Sequence, residues 1–465
     1  MIKIPKEIIR LAEIFKINGH KLYIVGGYVR DSLLNIQSAI RDDIDLCSDV
    51  TPARLRKILN QTEFNLQPIN EFVGVVAIEG NRRYEHATFR EEVYENDSHN
   101  PTKIKFIDKL EKDAERRDFK INAIYYDIIE QEIIDPLGGQ LNLRERIIET
   151  TKEPKYVFDS DPERILRLIR FACSLGFDIP ENELRFAKKN SQKVAFISKY
   201  RLKHEFEKLL TCDQIYPELP YTGEAHFRAM VLVGELDIWK YILPALDEIK
   251  NSDIKDKKGE LIYDHTLNCL KNASPKIRMA VLLHDAAKVK TIKQGKSFFG
   301  AKEFVSVIVN ANLGIEGLGY NKDFISKVTR TILGYDFNNL GFARINSIKQ
   351  FIFKNKDIIE NVIEIKNVIK NENRLVQKPI KVAEKIRRVY NNMLKKGSPF
   401  VLADLKINGR EIIENFPHIK LENLDDLLDR LLLLAAINPM KNNMKDLIIM
   451  ANKLINSKRD FYLEQ

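Results

Sequence analysis

The sequence predicts an α+β protein, with a small mixed-sheet head followed by an all-helical neck, body and tail. Segments with period-two apolar patterning cluster before residue 140, around 21–25, 43–46, 72–78 and 83–89. Beyond Pro217-Glu218-Leu219-Pro220 the apolar residues recur at helical spacing with short polar links and little strand pattern. The 465 residues, 44% of them apolar, suffice for cores, and chains of this length ordinarily form about three or four domains.

Residues 1–20 read as an amphipathic helix with Ile8, Leu11, Ala12 and Phe15 on one face, packing behind the first strand. Lys21 to Val25 has the pattern of that strand, Gly26-Gly27 breaks it, Tyr28 to Asn35 has helical spacing, and Asp43 to Leu46 returns as a second strand. Strand side chains alternate, so Asp43 and Asp45 are expected to share one space while Ile44 and Leu46 face the core. Paired carboxylates suit a hard cation such as Mg²⁺, and two such ions about 3.5–4 Å apart serve in-line phosphoryl transfer. Glycines at 26 and 27 let the backbone approach an anion at a helix mouth, and Arg30 is a candidate clamp for a triphosphate. Each half alone is also compatible with an ordinary strand-turn-helix bearing two exposed acids.

Thr51-Pro52 opens a further helix, with Thr as cap and Pro at the first helical position. Phe72 to Ile78, a Gly80-Asn81 turn and Arg83 to Phe89 predict a hairpin that carries Glu85 on its returning strand. Arg90 to Ile104 is polar and aperiodic and reads as a loop beside the sheet. Glu115-Arg116-Arg117-Asp118-Phe119-Lys120-Ile121-Asn122-Ala123 follows, then a short hairpin and Asp135-Pro136-Leu137-Gly138-Gly139. In the helix from Asp161 to near Gly176, Ile165, Leu168, Ile169 and Ala172 share one face while Arg164, Arg167 and Arg170 fall on the other. Considered alone, the arginine pair fits a salt-bridged helix start and the arginine row a solvated face.

Together, Gly26-Gly27-x-Val29-Arg30-Asp31 followed by Asp43-x-Asp45 resembles the signature of the polymerase-β-like nucleotidyltransferases, in the branch containing bacterial CCA-adding tRNA nucleotidyltransferases and poly(A) polymerases. The resemblance implies that Asp43 and Asp45 are the catalytic metal ligands and that Gly27, Arg30 and Arg117 hold the triphosphate and sugar, with Asp118 reading the 2′-hydroxyl. It implies that Asp161 and Arg164 act as an amino-acid template for the base of CTP or ATP, with Arg167 and Arg170 continuing the nucleotide-binding row. An Asp accepts from the exocyclic amino group that C and A share, an Arg donates to ring nitrogen or carbonyl, and G and U present the wrong polarity. Position 160 is Ser where the motif has Glu, and His99-Asn100 stands where the family's loop has a basic pair before Pro101. The loop from Phe89-Arg90 to Pro101 corresponds to the segment required for switching from C to A, and Asp135 to Gly139 to a hinge between head and neck. Arg201 to Lys208 resembles the family's next helix motif, with an i, i+4 pair between Arg201 and Glu205.

Asp264-His265 and His284-Asp285 resemble a metal-dependent HD phosphohydrolase signature. The His of its next segment is absent from Gly300-Ala301-Lys302-Glu303, and only Asp336 offers a distant further ligand, so a degenerate, structural HD fold is expected. Residues 356–396, rich in Lys, Asn and Ile, suit a track for tRNA phosphates or serve as a solubilising face, and Leu405 to Arg410 resembles a tail segment of the same family.

The net charge of +9 fits a polyanionic partner. Cys47, Cys173, Cys212 and Cys269 are far apart with no CxxC pairing, which argues against a zinc cage or disulfide framework and fits a reducing cytosol. The charged N-terminus carries no targeting pattern, and the apolar run Leu431 to Ile437 is too short to span a bilayer, so a cytoplasmic protein without a membrane role is expected. The expected enzyme adds C, C and A to tRNA from CTP and ATP with Mg²⁺, using a head over 1–145, a neck over 146–215, an HD-like body over 216–350 and a tRNA-binding tail over 351–465. Enzymes adding only CC or only A, a poly(A) polymerase, an HD phosphohydrolase with an RNA-binding head and a non-catalytic tRNA-binding protein remain as alternatives.

Overall fold

The computed structural model describes residues 2–36, 44–60, 62–68, 73–78, 82–93, 103–220, 222–256, 259–295, 302–335, 337–371 and 378–462. The chain divides into two compact units, one of Met1–Lys271 with Asn310–Tyr320, the other of Asn272–Val309 with Asn321–Gln465.

The first unit opens with α1 (Lys6–Ile17), whose Ile8, Leu11, Ala12 and Phe15 are all fully buried, as their spacing requires. Then come β1 (Tyr23–Val25), α2 (Gly27–Leu33), β2 (Asp45–Ser48) and α3 (Pro52–Leu59), the last capped by the Thr51 side chain. β3 (Phe64–Pro68), β4 (Val73–Ile78) and β5 (Arg83–Thr88) complete one side of a seven-stranded mixed sheet in the order β3-β4-β5-β2-β1-β8-β9, in which β8 is Tyr125–Asp127 and β9 is Glu132–Ile134. The expected hairpin is β4–β5, its Gly80-Asn81 turn lying outside the described residues. The β2–β5 pairing is the parallel one that makes the sheet mixed.

One sheet face is covered by α1, with the Phe15 ring 5.7 Å from that of His86, whose Nε2 lies 2.8 Å from Ser48 Oγ. Burial holds the His86 imidazole down at about 4, so it stays neutral. The other face packs Val25, Cys47, Phe89, Ala123 and Tyr125 against Leu110 and Ala114 of α4 (Leu110–Glu115).

The segment expected as a loop after Phe89 is partly ordered sheet: β6 (Arg90–Val93) pairs antiparallel with β7 (Lys103–Phe106). Charged residues on both strands mask the alternation that would have announced them. His99-Asn100 and Pro101 lie outside the described residues. Beyond β9 the described residues form helices and turns with isolated bridges only, and no helix among them is long and apolar enough to cross a membrane.

The helical part of the first unit contains α5 (Gly139–Glu145), α6 (Pro154–Ser160), α7 (Glu163–Leu175), α8 (Glu181–Asn190), α9 (Lys199–Leu210) and α10 (Ala225–Glu235). α7 ends at Gly176, whose φ of 67° is the left-handed cap conformation that glycine adopts without strain. α10 packs on α7 and α9. In the second unit Leu427, Leu431, Ala435, Leu447 and Ala451 centre one apolar core, and Ile348, Ile352, Val362, Ala383 and Ile386 another.

α8 carries a titration signature. Glu183 is buried, Oε1 accepting from the Thr150 N–H (3.2 Å) and Oγ1 (3.0 Å), while Oε2 has no partner among the described residues. Burial drives its carboxyl up to about 7, against the pull of the Thr150 donors. A carboxyl whose folded value lies above its unfolded one gives stability that is complete below about pH 4 and lost as pH rises through 7. Glu183→Gln is therefore expected to be more stable than the wild type at pH 8, by on the order of 2 kcal/mol, and nearly equal at pH 4.5. Urea denaturation at the two pH values checks this, and an equal difference at both would remove the assignment.

Candidate active site

The site begins where β1 turns into α2. Gly26 has φ 82° and ψ −136°, a backbone that L side chains rarely adopt, and a Cβ there would stand 3.6 Å from Asp45 Oδ2 and 3.9 Å from the Asn122 carbonyl oxygen. Asp45, paired in register with Val25, is exposed at the start of β2 while Ile44 and Leu46 are buried. The turn thus seats one carboxylate at the start of a central strand, with Gly27 opening the helix beside it. Asp43 lies outside the described residues. Glu85, exposed on β5, is one residue before the Leu46–His86 pair of the parallel register, so the ladder carries it alongside Asp45.

Arg30 does not open onto this seat. It is 2% exposed, and its guanidinium donates to Asp31 Oδ1 (2.7 Å), Asn122 Oδ1 (2.6 Å) and Tyr216 Oη (2.6 Å) above the Phe171 ring. Burial opposes its charge, and Asp31 and Tyr216 more than restore it. The expected triphosphate clamp is therefore a brace under the turn, because all three nitrogens are spent inside the protein.

The Arg116-Arg117-Asp118 strap follows α4. Asp113, fully buried, organises it: Oδ1 accepts from Arg116 Nε (2.8 Å) and the Arg90 N–H (3.3 Å), and Oδ2 from Arg117 Nη2 (3.2 Å) and Tyr125 Oη (2.8 Å). Burial disfavours the Asp113 carboxylate, but Arg117 and Arg116 hold it below its ordinary range. Sequence reasoning missed this residue. The signal was present, since Asp113 stands three and four positions before the arginines, a spacing that one helical turn and its C-terminal cap bring together.

Asp118 is 7% exposed, Oδ1 accepting from the Phe119 N–H (2.8 Å) and Asn122 Nδ2 (3.1 Å) and Oδ2 from Arg167 Nε (2.7 Å). Burial raises its carboxyl, and Arg167 and Asn122 outweigh that to hold it at about 2. With both oxygens engaged, a sugar hydroxyl reaches Asp118 only by displacing a donor, and of its side-chain donors Arg167, 33% exposed, is the one that reaches the surface. The helical side grips the strap throughout: Arg164 Nη2 donates to the Arg116 carbonyl (2.7 Å), Thr151 Oγ1 to the Arg117 carbonyl (2.6 Å), and the Thr151 N–H to the Asp118 carbonyl (3.2 Å).

Asp161 and Arg164 meet at the start of α7. Asp161 Oδ1 accepts the Glu163 N–H (3.1 Å) and Oδ2 accepts Arg201 Nη2 (2.8 Å), while Arg164 Nη1 donates to Ser160 Oγ (3.2 Å). Ser160, present where the motif has Glu, thus still braces the arginine. The arginine row is not a solvated face. Arg170 is buried with Nε on Glu205 Oε2 (2.8 Å), and Arg167 turns onto Asp118, because two acids from other elements face this side of α7. Arg201 accordingly pairs with Asp161 and Glu163 and not with Glu205, which takes Arg170 and Lys208.

The expected hinge is a packed joint. Asp135 caps the N–H groups of Gly139 (2.7 Å) and Gln140 (2.8 Å), and a Cβ at Gly139 would collide with the Lys120 carbonyl oxygen at 2.3 Å. The second glycine serves close approach, whereas Gly138 has a φ of 76° and nothing within 4 Å of where a Cβ would stand.

The two His/Asp pairs of the HD signature fall in different units. His265 Nε2 lies 3.6 Å from Cys269 Sγ, and Asp285 is buried between His284 (3.1 Å) and Lys288. Asp336 and Gly300-Ala301 lie outside the described residues.

The family model described as Poly A polymerase head domain matches residues 22–149. A CCA-adding enzyme of Geobacillus sp. (strain WCH70) is 35% identical over 244 residues, 52% of this chain and 54% of the relative. One of Anoxybacillus flavithermus is 34% identical over 258 residues, 55% of this chain and 60% of the relative. The chain spans about half the length of the curated relatives it matches. The crystal structure of Bacillus stearothermophilus CCA-adding enzyme in complex with CTP has the same fold, with a TM-score of 0.64 at 22% identity, covering 98% of both chains.

Proposed function

We propose that this chain is a CCA-adding tRNA nucleotidyltransferase, which extends the tRNA 3′ end with C, C and A from CTP and ATP and releases pyrophosphate without a nucleic-acid template. The observation that carries the reading is the seating of Asp45 against the Gly26 turn, in a head matched over residues 22–149 and held by its arginine strap to α7.

In this reading Asp45, with Asp43, would hold Mg²⁺, and an exposed carboxylate edge supplies the hard oxygen donors that such an ion takes. When bound, the ion supplies positive charge at the α-phosphate and at the attacking 3′-hydroxyl. Gly27 and Arg117 cradle the triphosphate and sugar, Asp118 with Arg167 reads the ribose, and Asp161 and Arg164, only half-buried, offer an acceptor and a donor to the base edge in exchange for their partners within the protein. Arg170 holds α7 to α9 through Glu205 and supports the row without touching substrate. The division proposed is a catalytic head over 1–145, a base-selecting neck over 146–215, an HD-like body over 216–350 and a tRNA-binding tail over 351–465, acting in the cytoplasm.

The test supplies tRNAs ending before the first C, after one C and after CC with each nucleotide singly and in mixtures, and sequences the ends. Extension of all three to CCA is the expected result. Arrest after CC, addition of A alone, or A-tailing of any RNA would assign the chain to a narrower or different polymerase. Asp161→Ala or Arg164→Ala is expected to erode discrimination against UTP and GTP by about 10- to 100-fold, the scale of one or two base-edge hydrogen bonds. Unchanged selection among the four nucleotides would remove the template assignment.

A further inference from the structure

Tyr216, which belongs to none of the sequence motifs, closes a continuous buried chain of hydrogen bonds. Its hydroxyl donates to Asp31 Oδ2 (3.0 Å) and accepts from Arg30 Nη2 (2.6 Å); Arg30 Nη1 donates to Asn122 Oδ1 (2.6 Å); Asn122 Nδ2 donates to Asp118 Oδ1 (3.1 Å); and Asp118 Oδ2 receives Arg167 Nε (2.7 Å). Tyr216, Arg30, Asn122 and Asp118 are each buried, so none of these groups finds a water partner when its neighbour is lost. The Arg30 and Arg167 guanidinium groups of the chain, and that of Arg170 outside it, also lie 5.1, 5.3 and 4.3 Å from the centroid of the Phe171 ring, an aromatic side chain of α7.

We infer that Tyr216 is a positioning residue for sugar selection: through Arg30 and Asn122 it fixes the Asp118 carboxylate in the orientation from which Arg167 is exchanged for a ribose hydroxyl. The inference rests on the proposed polymerising role for its kinetic consequence, but its structural consequence is independent of it. The amide side chain of Asn122 is oriented from one end by the Arg30 donor and delivers its own N–H to Asp118 from the other. Loss of the Tyr216 hydroxyl leaves one Arg30 nitrogen and one Asp31 oxygen without a partner, and the guanidinium must tilt to recover one. That tilt withdraws the donor that orients Asn122, and Asp118 keeps only the Phe119 N–H and Arg167.

The experiment compares Tyr216→Phe and Asn122→Ser in the full chain with Tyr263→Phe, which removes a hydroxyl that accepts from Trp239 Nε1 (3.0 Å) and has no link to the chain. In Tyr216→Phe, amide hydrogen exchange over residues 117–123 is expected to quicken by about tenfold, and over α1 to stay unchanged. The preference for CTP over dCTP, as a ratio of kcat/KM, is expected to fall by about tenfold with the KM for tRNA unaltered, and the double variant Tyr216→Phe/Asn122→Ser to lose little more than either alone. Tyr263→Phe should move neither quantity. Unchanged exchange over 117–123 in Tyr216→Phe overturns the inference whatever the activity, as does fully additive loss of sugar preference. Quickened exchange in a protein that adds no nucleotide to any tRNA supports the positioning chain and instead removes the polymerase reading.

Discussion

Asp45→Ala is expected to cut nucleotide incorporation by about a thousandfold or more, since each factor of ten corresponds to about 1.36 kcal/mol and a metal-held transition state is stabilised by several. The affinity for tRNA should change by less than about twofold, because the phosphate contacts that dominate such binding do not pass through one carboxylate. Asp45 is exposed at the beginning of β2, with its neighbours Leu46 and Cys47 holding the strand in the core, so the substitution should leave the fold intact. Single-turnover extension of a tRNA ending in CC, with binding measured on the same sample, checks both halves. A variant that extends at near the wild-type rate would show that the carboxylate beside Gly26 is not a metal ligand.

The second large effect concerns stability. Arg30→Met is expected to destabilise the first unit by about 3–5 kcal/mol, the usual cost of stranding the buried partner of an ion pair. Asp31 loses its nearest cation and Asn122 and Tyr216 lose a donor each, all out of reach of water. Arg30→Lys should recover only a part, because one ammonium does not reproduce a planar fork aimed in three directions. Chemical denaturation gives the answer, and it separates two roles. A clamp open to substrate would raise the KM for nucleotide at wild-type stability, whereas a brace lowers the denaturation midpoint first.

Much of this arrangement was legible in the sequence where periodicity and local chemistry sufficed. The four apolar positions of α1, the Thr51 cap, the β4–β5 hairpin and the Gly176 stop are consequences of residues close together in the chain. The apolar side of α7 was equally clear, and Ile165, Leu168, Ile169 and Ala172 are fully buried. On its polar side, helical spacing says which residues share a face and not what that face meets. Arg167 finds Asp118 at a separation of 49 residues and Arg170 finds Glu205 at 35, distances at which no local rule operates. The same limitation turned Arg30 from brace into clamp. Gly138-Gly139 was read as a source of freedom, whereas the Lys120 carbonyl pressing on Gly139 makes the second glycine a matter of space. The acid pair itself was drawn from strand alternation; Asp45 is exposed as that alternation requires, and Asp43 lies outside the described residues.

The family match ends at residue 149, yet the strap it contains is fastened from beyond that point by Thr151, Arg164 and Arg167, and α2 by Tyr216. An excised fragment cut at that border would lose the arginine that holds Asp118 and the phenol and ring that cover Arg30, opening both buried groups to water. The boundary drawn by sequence likeness is therefore not a seam along which the protein can be taken apart, and a shortened version of this chain has to keep at least the stretch through Tyr216.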